Sequence, residues 1–172
     1  GDWIASSNLK DHRFVRTSVF GELQWAGARN TTAQLGLRLD RYSTFGRTLN
    51  PSASVAKQLR SDFRVRASVA RAFRIPTFTE LYYSDPANLG SPDLTPERGW
   101  SLDAGADWMR NGWTVSVSPF RRWDENVIDW VKASAPDLWR STNVRDVTST
   151  GFEASISRFW ASARLRAVWV SH

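Results

Sequence analysis

Apolar and polar residues alternate along most of this 172-residue chain with a period of two, the repeat of a β-strand whose two faces meet different surroundings. Between Arg13 and Trp25, positions Val15, Val19, Leu23 and Trp25 fall on one face and Arg16, Ser18, Glu22 and Gln24 on the other. Ala33, Leu35, Leu37 and Leu39 oppose Gln34, Gly36, Arg38 and Asp40 in the same way. A weaker strand is expected from Asn50 to Leu59. A clear one runs from Phe63 to Phe73, with Arg71 breaking its apolar face. Trp100, Leu102, Ala104, Ala106 and Trp108 form the next apolar row, followed by a strand from Trp113 to Trp123 with a bulge at Pro119. Phe152, Ala154 and Ile156, then Ala163, Leu165, Ala167 and Trp169, complete about eight strands. Helical spacing is hard to find, so the expected fold is all-β.

Composition narrows the surroundings. Ten Trp, nine Phe and three Tyr accompany a net charge of +6 carried mostly by Arg, a mixture suited to a sheet partly wetted and partly facing lipid. With no Cys there is no disulfide framework or thiolate metal site, and the two histidines, His12 and His172, lie near the ends. No metal, cofactor or catalytic residue is expected. No stretch approaches the roughly 18 uninterrupted apolar residues of a spanning helix, which leaves strands as the only spanning element. The start, Gly1-Asp2-Trp3, has no signal-peptide pattern, so a mature part or a fragment is expected.

The connections carry as much information as the strands. Short ones are expected at Gly27 to Asn30, Arg60 to Asp62, Arg110 to Gly112 and Arg158 to Trp160. Longer ones lie between them, at Ser43 to Leu49, Arg74 to Glu97 and Val131 to Thr142. Alternation of this kind is the layout of an outer-membrane barrel, with turns towards the periplasm and loops outside. In hydrocarbon every backbone amide needs a partner, so apolar residues face lipid and the arginines line a wet interior. Arg64 and Arg66 are then expected to pair with carboxylates of neighbouring strands, such as Glu22 and Asp40. Val65→Arg is expected to cost more than Arg66→Ser.

Particular motifs add a resemblance. Gly36-Leu37-Arg38-Leu39-Asp40 with Tyr42, Asn50-Pro51-Ser52-Ala53-Ser54-Val55, and Ala72-Phe73-Arg74-Ile75-Pro76-Thr77 leading to Glu80-Leu81-Tyr82 resemble successive strands of the TonB-dependent receptors. The most specific segment, Gly90-Ser91-Pro92-Asp93-Leu94-Thr95-Pro96-Glu97, is similar to that family's Gly-Asn-Pro-Asp-Leu-Lys-Pro-Glu. It departs at Ser91 and Thr95. Asn126-Val127-Ile128-Asp129-Trp130, Asn143-Val144 and Gly151-Phe152-Glu153 resemble the next two strands. The resemblance covers roughly residues 20 to 170. It implies part of a 22-stranded transmembrane barrel in the bacterial outer membrane, with residues 1–172 forming a partial barrel domain and the plug domain absent.

That resemblance also implies a role: TonB-energised uptake of a scarce nutrient such as an iron-siderophore or cobalamin. The implied partners are outer-membrane lipid, TonB acting through the plug, and the imported ligand. Arg74, Pro76, Pro92, Asp93, Leu94, Pro96, Glu97, Gly151 and Glu153 are taken as structural motif residues. Pro92 and Pro96 fix the chain's path and Glu97 anchors the start of a strand, which outweighs a catalytic carboxylate pair because no pocket is visible. Tyr82, Tyr83 and Asp85, in the longest loop, are the candidate ligand contacts. The competing reading has the tyrosines packing that loop or marking the lipid interface. Nucleic acid is not expected as a partner, because Arg and aromatic residues sit largely on opposite faces. Two other classes compete: a soluble carbohydrate-binding β-sandwich and a small self-closed outer-membrane barrel.

Overall fold

The computed structural model describes residues 2–6, 9–28, 30–160 and 163–171. A short hairpin comes first, β1 (Asp2–Ser6) with β2 (Lys10–Phe14). Then β3 (Arg16–Gly27), β4 (Thr31–Tyr42), β5 (Gly46–Arg60) and β6 (Phe63–Arg74) follow as antiparallel neighbours. A long connection holds α1 (Phe78–Tyr82) and the two-residue β7 (Asn88–Leu89). It leads into β8 (Glu97–Arg110), β9 (Trp113–Val131), β10 (Trp139–Trp160) and β11 (Ala163–Ser171). The sheet order is β11-β10-β9-β8-β6-β5-β4-β3, a simple meander, with β7 added in parallel beside β10. The eight strands of the meander are the eight expected from the period-two pattern.

Alternation works because the register keeps like faces together. Leu35 pairs with Leu23 and Ala53, and Ala106 pairs with Val65 and Val117, so apolar rows cross the whole sheet. Leu35, Leu37 and Leu39 are 58%, 51% and 43% exposed, which no water-soluble fold leaves as a continuous row. The oily face carries an open apolar depression of about 990 Å³, lined by Leu23, Leu35, Leu37 and Trp100 among others. No second sheet covers it among the described residues, which removes the sandwich reading. The edge strands β3 and β11 do not pair with each other among those residues, so the sheet is an open wall and not a self-closed barrel.

On the opposite face the charges neutralise one another locally. Arg66 reaches across to β8, where its Nη1 donates to both Asp107 oxygens at 2.6 Å, and its Nη2 donates to the Ser118 hydroxyl. Its partner is therefore Asp107, not Glu22 or Asp40. Asp40 is held by Arg38 at 2.9 Å and by the Ser18 hydroxyl at 2.5 Å, and Glu22 accepts from Gln24. A Cβ on Gly105 would come within 2.6 Å of the Arg66 Cζ, so glycine is what allows the guanidinium to cross there. Arg66→Ser would take from Asp107 the two hydrogen bonds that the guanidinium donates to it, a cost that the face assignment alone does not reveal. Glu153 is exposed on this face, lining a polar trough with Arg66 and Ser118. Gly151 allows a close approach, since a Cβ would sit 2.2 Å from the Ser171 carbonyl oxygen and 2.7 Å from Phe120 Cζ.

Turns at one end are tight. Asn111 and Gly112 both take positive φ, 51° and 79°, the conformation a two-residue hairpin turn requires. Asn30 has φ 54° at another, and the third is Ser61-Asp62. Arg158 to Trp160 remain paired within β10 and do not turn; residues 161–162, where the chain must reverse, lie outside the described residues. At the far end the connection after β4 is only Ser43 to Phe45, because β5 already starts at Gly46 with φ 74°. The loop after β9 shortens to 132–138 as both flanking strands extend beyond the oily band. No shift occurs at Pro119, where Asp103 faces Phe120 and Ala106 faces Val117 in continuous register. The irregularities fall instead at Gln58/Arg60 and at Asn143/Arg145/Val147. Arginine and tryptophan also meet on one face more than expected: Arg121 lies 5.1 Å from the Trp123 ring, and Arg158 stacks on two indoles.

Candidate functional site

The buried apolar cluster is not under the sheet but at its loop end, where Leu81, Leu94 and Ile128 pack together against Phe45 and Tyr82. Its position follows from local chemistry. Thr77 caps α1 with a reciprocal box: the Glu80 amide donates to Thr77 Oγ1 at 3.2 Å, and the Thr77 amide donates to Glu80 Oε2 at 2.7 Å. Pro76, fully buried, fixes the backbone just before the cap.

Arg74 ties this turn to the sheet. Its Nε and Nη2 donate to the two oxygens of Glu97 at 2.6 Å each, and Nη1 donates to both oxygens of Glu80 at 3.0 and 3.1 Å. Glu97, the first residue of β8, also accepts from the Ile128 amide of β9 at 2.8 Å. One guanidinium thus joins the last residue of β6, the helix, and the start of β8. The Pro92-Asp93-Leu94-Thr95-Pro96 segment returns the chain between them, with Leu94 buried, Pro96 half-buried, and Pro92 and Asp93 exposed. Asn143 clamps it from β10: its Oδ1 accepts from the Thr95 amide at 2.9 Å, and its Nδ2 donates to the Thr95 carbonyl at 3.0 Å.

The candidate ligand residues part company here. Tyr82 and Tyr83 line a cavity of about 590 Å³ that is also bounded by His12, Asp93, Arg140 and Ser141. Asp85 is not among its walls. Its carboxylate accepts from the Ala87 and Asn88 amides at 2.7 and 2.6 Å and closes a turn on its own loop. Those amide donors, with the Asn88 side chain second, hold the Asp85 carboxyl below its ordinary value. A lowered value means that the turn gains from ionised Asp85 above the ordinary carboxylate range and loses this as pH falls through the lowered one. Cleavage of the loop in limited proteolysis should therefore rise in acid, and Asp85→Asn should flatten that dependence.

No sequence pattern singled out His12, whose ring stacks on Tyr82 with centroids 3.5 Å apart and planes 11° from parallel. Phe14, Phe78, Tyr42 and Phe73 continue the aromatic contacts from the first hairpin across α1 to β4 and β6. Asn143 stood in the resembling pair Asn143-Val144, which says nothing of its clamp on Thr95, and Arg140 carried no motif. Glu80 did: Thr-x-x-Glu before an apolar pair is a readable capping signal. Gly90 is fixed by contact, since a Cβ would lie 2.8 Å from the Tyr82 nitrogen and 2.9 Å from the Glu80 oxygen. Gly90→Ala should destabilise the loop by about 1 to 3 kcal/mol, visible as faster hydrogen exchange at residues 78–91 with the sheet unchanged.

An antiparallel meander with one oily face, one charged face and a built-up loop end is a wall segment of the transmembrane β-barrel class. The chain belongs to the TonB-dependent receptor-like β-barrel family, whose model matches residues 1–170. Among curated relatives it is similar to the ferrienterobactin receptor of Escherichia coli, 26% identical over 164 residues, and to the vitamin B12 transporter BtuB of Vibrio vulnificus, 30% identical over 124 residues. These matches cover 81% and 71% of this chain but 22% and 19% of the relatives, so the chain spans about a fifth of their length. Among solved structures, the siderophore receptor PirA from Pseudomonas aeruginosa superposes with a TM-score of 0.79 at 23% identity, over 95% of this chain and 33% of that one. PirA from Acinetobacter baumannii gives 0.78 at 19% identity, over 96% and 28%. At such identities the structural likeness speaks for the fold.

Proposed function

We propose that this chain forms part of the wall and outer loops of an outer-membrane receptor that imports an iron-siderophore or cobalamin-type ligand with energy delivered through TonB, and that it catalyses no reaction. The observation that carries the reading is the two-faced sheet of a family member: an apolar belt flanked by tryptophans towards lipid, and paired charges towards the interior. In this reading residues 1–172 are a partial barrel domain, the tight turns face the periplasm and the loop end faces outside. The plug that contacts TonB belongs to the rest of the protein.

The cavity beside α1 is the proposed ligand contact within this segment. Tyr82 and Tyr83 offer ring faces and Arg140 a cation, which suits an anionic, aromatic iron chelate. Asp85 supports the loop instead of touching the ligand. Arg74, Glu97 and the Pro92 to Pro96 segment hold the cavity's floor to the barrel. The test uses the full-length receptor in outer-membrane vesicles, titrated with a ferric catecholate chelate and, separately, with cobalamin, alongside uptake in cells with and without TonB. Saturable binding of one ligand and uptake that needs TonB are expected. Binding of neither ligand, or uptake indifferent to TonB, overturns the reading.

A further inference from the structure

The tight-turn end of the oily face carries cations that neither import nor the interior charge network uses. Register places Arg110 and Arg158 on either side of Trp113, as its cross-strand partners on β8 and β10. All three share the face of Trp108, Val115 and Ile156, the face assigned to lipid. Lys57 lies on the same face at the same end, paired with Val65. No Asp or Glu stands on that half of the face among the described residues.

Arg158 is held more closely than a snorkelling surface residue. Its guanidinium carbon lies 4.8 Å from the Trp113 ring centroid and 5.0 Å from that of Trp160. Its Nε is buried and makes no hydrogen bond. The indole faces stabilise the positive charge but offer no oxygen to the planar N–H fork. At the boundary of hydrocarbon a guanidinium with no carboxylate paired to it is costly, and an anionic oxygen supplied by the surroundings to its terminal amino groups offsets that cost. A phosphodiester matches the fork, and indoles suit the depth at which such headgroups lie.

We propose that Arg158, clamped between Trp113 and Trp160 and helped by Arg110, binds the phosphate of an anionic glycerophospholipid in the leaflet at the tight-turn end. This rests on the reading of the sheet as a membrane wall. A lipid suits the site better than free phosphate because its chains continue along Val115, Ile156 and Leu165, whereas a free anion must leave water to reach a niche walled by indoles.

The test is native mass spectrometry of the full-length receptor in detergent with added phosphatidylglycerol, comparing wild type, Arg158→Gln, Arg158→Lys and Arg64→Gln, a change on the interior face. Wild type and Arg64→Gln are expected to retain the lipid alike. Arg158→Gln should bind it about tenfold more weakly, with Arg158→Lys between, and millimolar inorganic phosphate should not displace it. Flotation with neutral phosphatidylcholine vesicles and circular dichroism are measured on the same samples to establish insertion and folding. Equal retention by inserted, folded Arg158→Gln overturns the lipid site and leaves the membrane reading standing. Displacement by inorganic phosphate also overturns it, in favour of a free-anion site. Failure of wild type to float removes the membrane reading and this site together.

Discussion

Leu35→Arg in the full-length receptor is expected to destabilise the protein folded into lipid by about 2 to 4 kcal/mol, while Gln34→Arg costs much less. The two positions are adjacent in β4 and receive the same charge, so strand propensity and net charge are matched. They differ in face. Leu35 stands near the middle of the outward row from Thr31 to Arg41, paired with Leu23 and Ala53, where a guanidinium has only hydrocarbon around it. Gln34 lies beside Ser54 in the polar trough, whose carboxylates include Asp103 and Glu153. Urea titration in phospholipid vesicles, followed by tryptophan emission, reads both values. Equal costs, or the opposite ranking, would show that the face assignment is wrong, and the receptor reading would fall with it.

What the sequence made legible follows from the same physics. A strand between oil and water must alternate, so β3 to β6 and β8 to β11 stand out wherever the two solvents differ. Above the apolar belt both faces are wet and the contrast fades. This is why the outer part of β9, through Val131, and the start of β10 at Trp139 looked like loop. The first hairpin and β7 were missed for a related reason: β1 and β2 pair with each other and β7 adds two residues beside the outermost part of β10, so no contrast between two solvents imposes a pattern on them. Register is a further thing that periodicity cannot supply. Arg64 and Arg66 were placed on the correct face, whereas Arg110, Arg121 and Arg158 stand in the apolar rows, and Arg66 meets Asp107 only because the long connection returns β8 beside β6 with Gly105 opposite Arg66. The site shows the same division. Its proline-rich frame was readable, whereas the stack of His12 on Tyr82 joins residues 70 positions apart in sequence, and no local rule could foresee it.

Arg74→Gln should open the outer loop while leaving the sheet in place. The change removes the guanidinium that serves two carboxylates at once and leaves Glu80 and Glu97, whose side chains are only 15% and 20% exposed, facing each other without the cation they share. Hydrogen bonds to charged groups contribute about 1.5 to 3 kcal/mol each when their loss strands a partner, and this arginine is 43% exposed, so about 2 kcal/mol is expected for the loop. Hydrogen exchange at residues 77–97 should then accelerate about 30-fold, with amides in the middle of β4, β6 and β8 unchanged. Arg74→Lys should recover little, because a point-like ammonium cannot span both carboxylates as the planar fork does. Adding Glu80→Gln to Arg74→Gln should return part of the protection by removing one of the opposed charges, although the capping box then keeps only its neutral bonds. If exchange accelerates throughout the sheet instead, the knot supports the whole wall and not only its outer rim. If it accelerates nowhere, Leu81, Leu94 and Ile128 hold the loop without it.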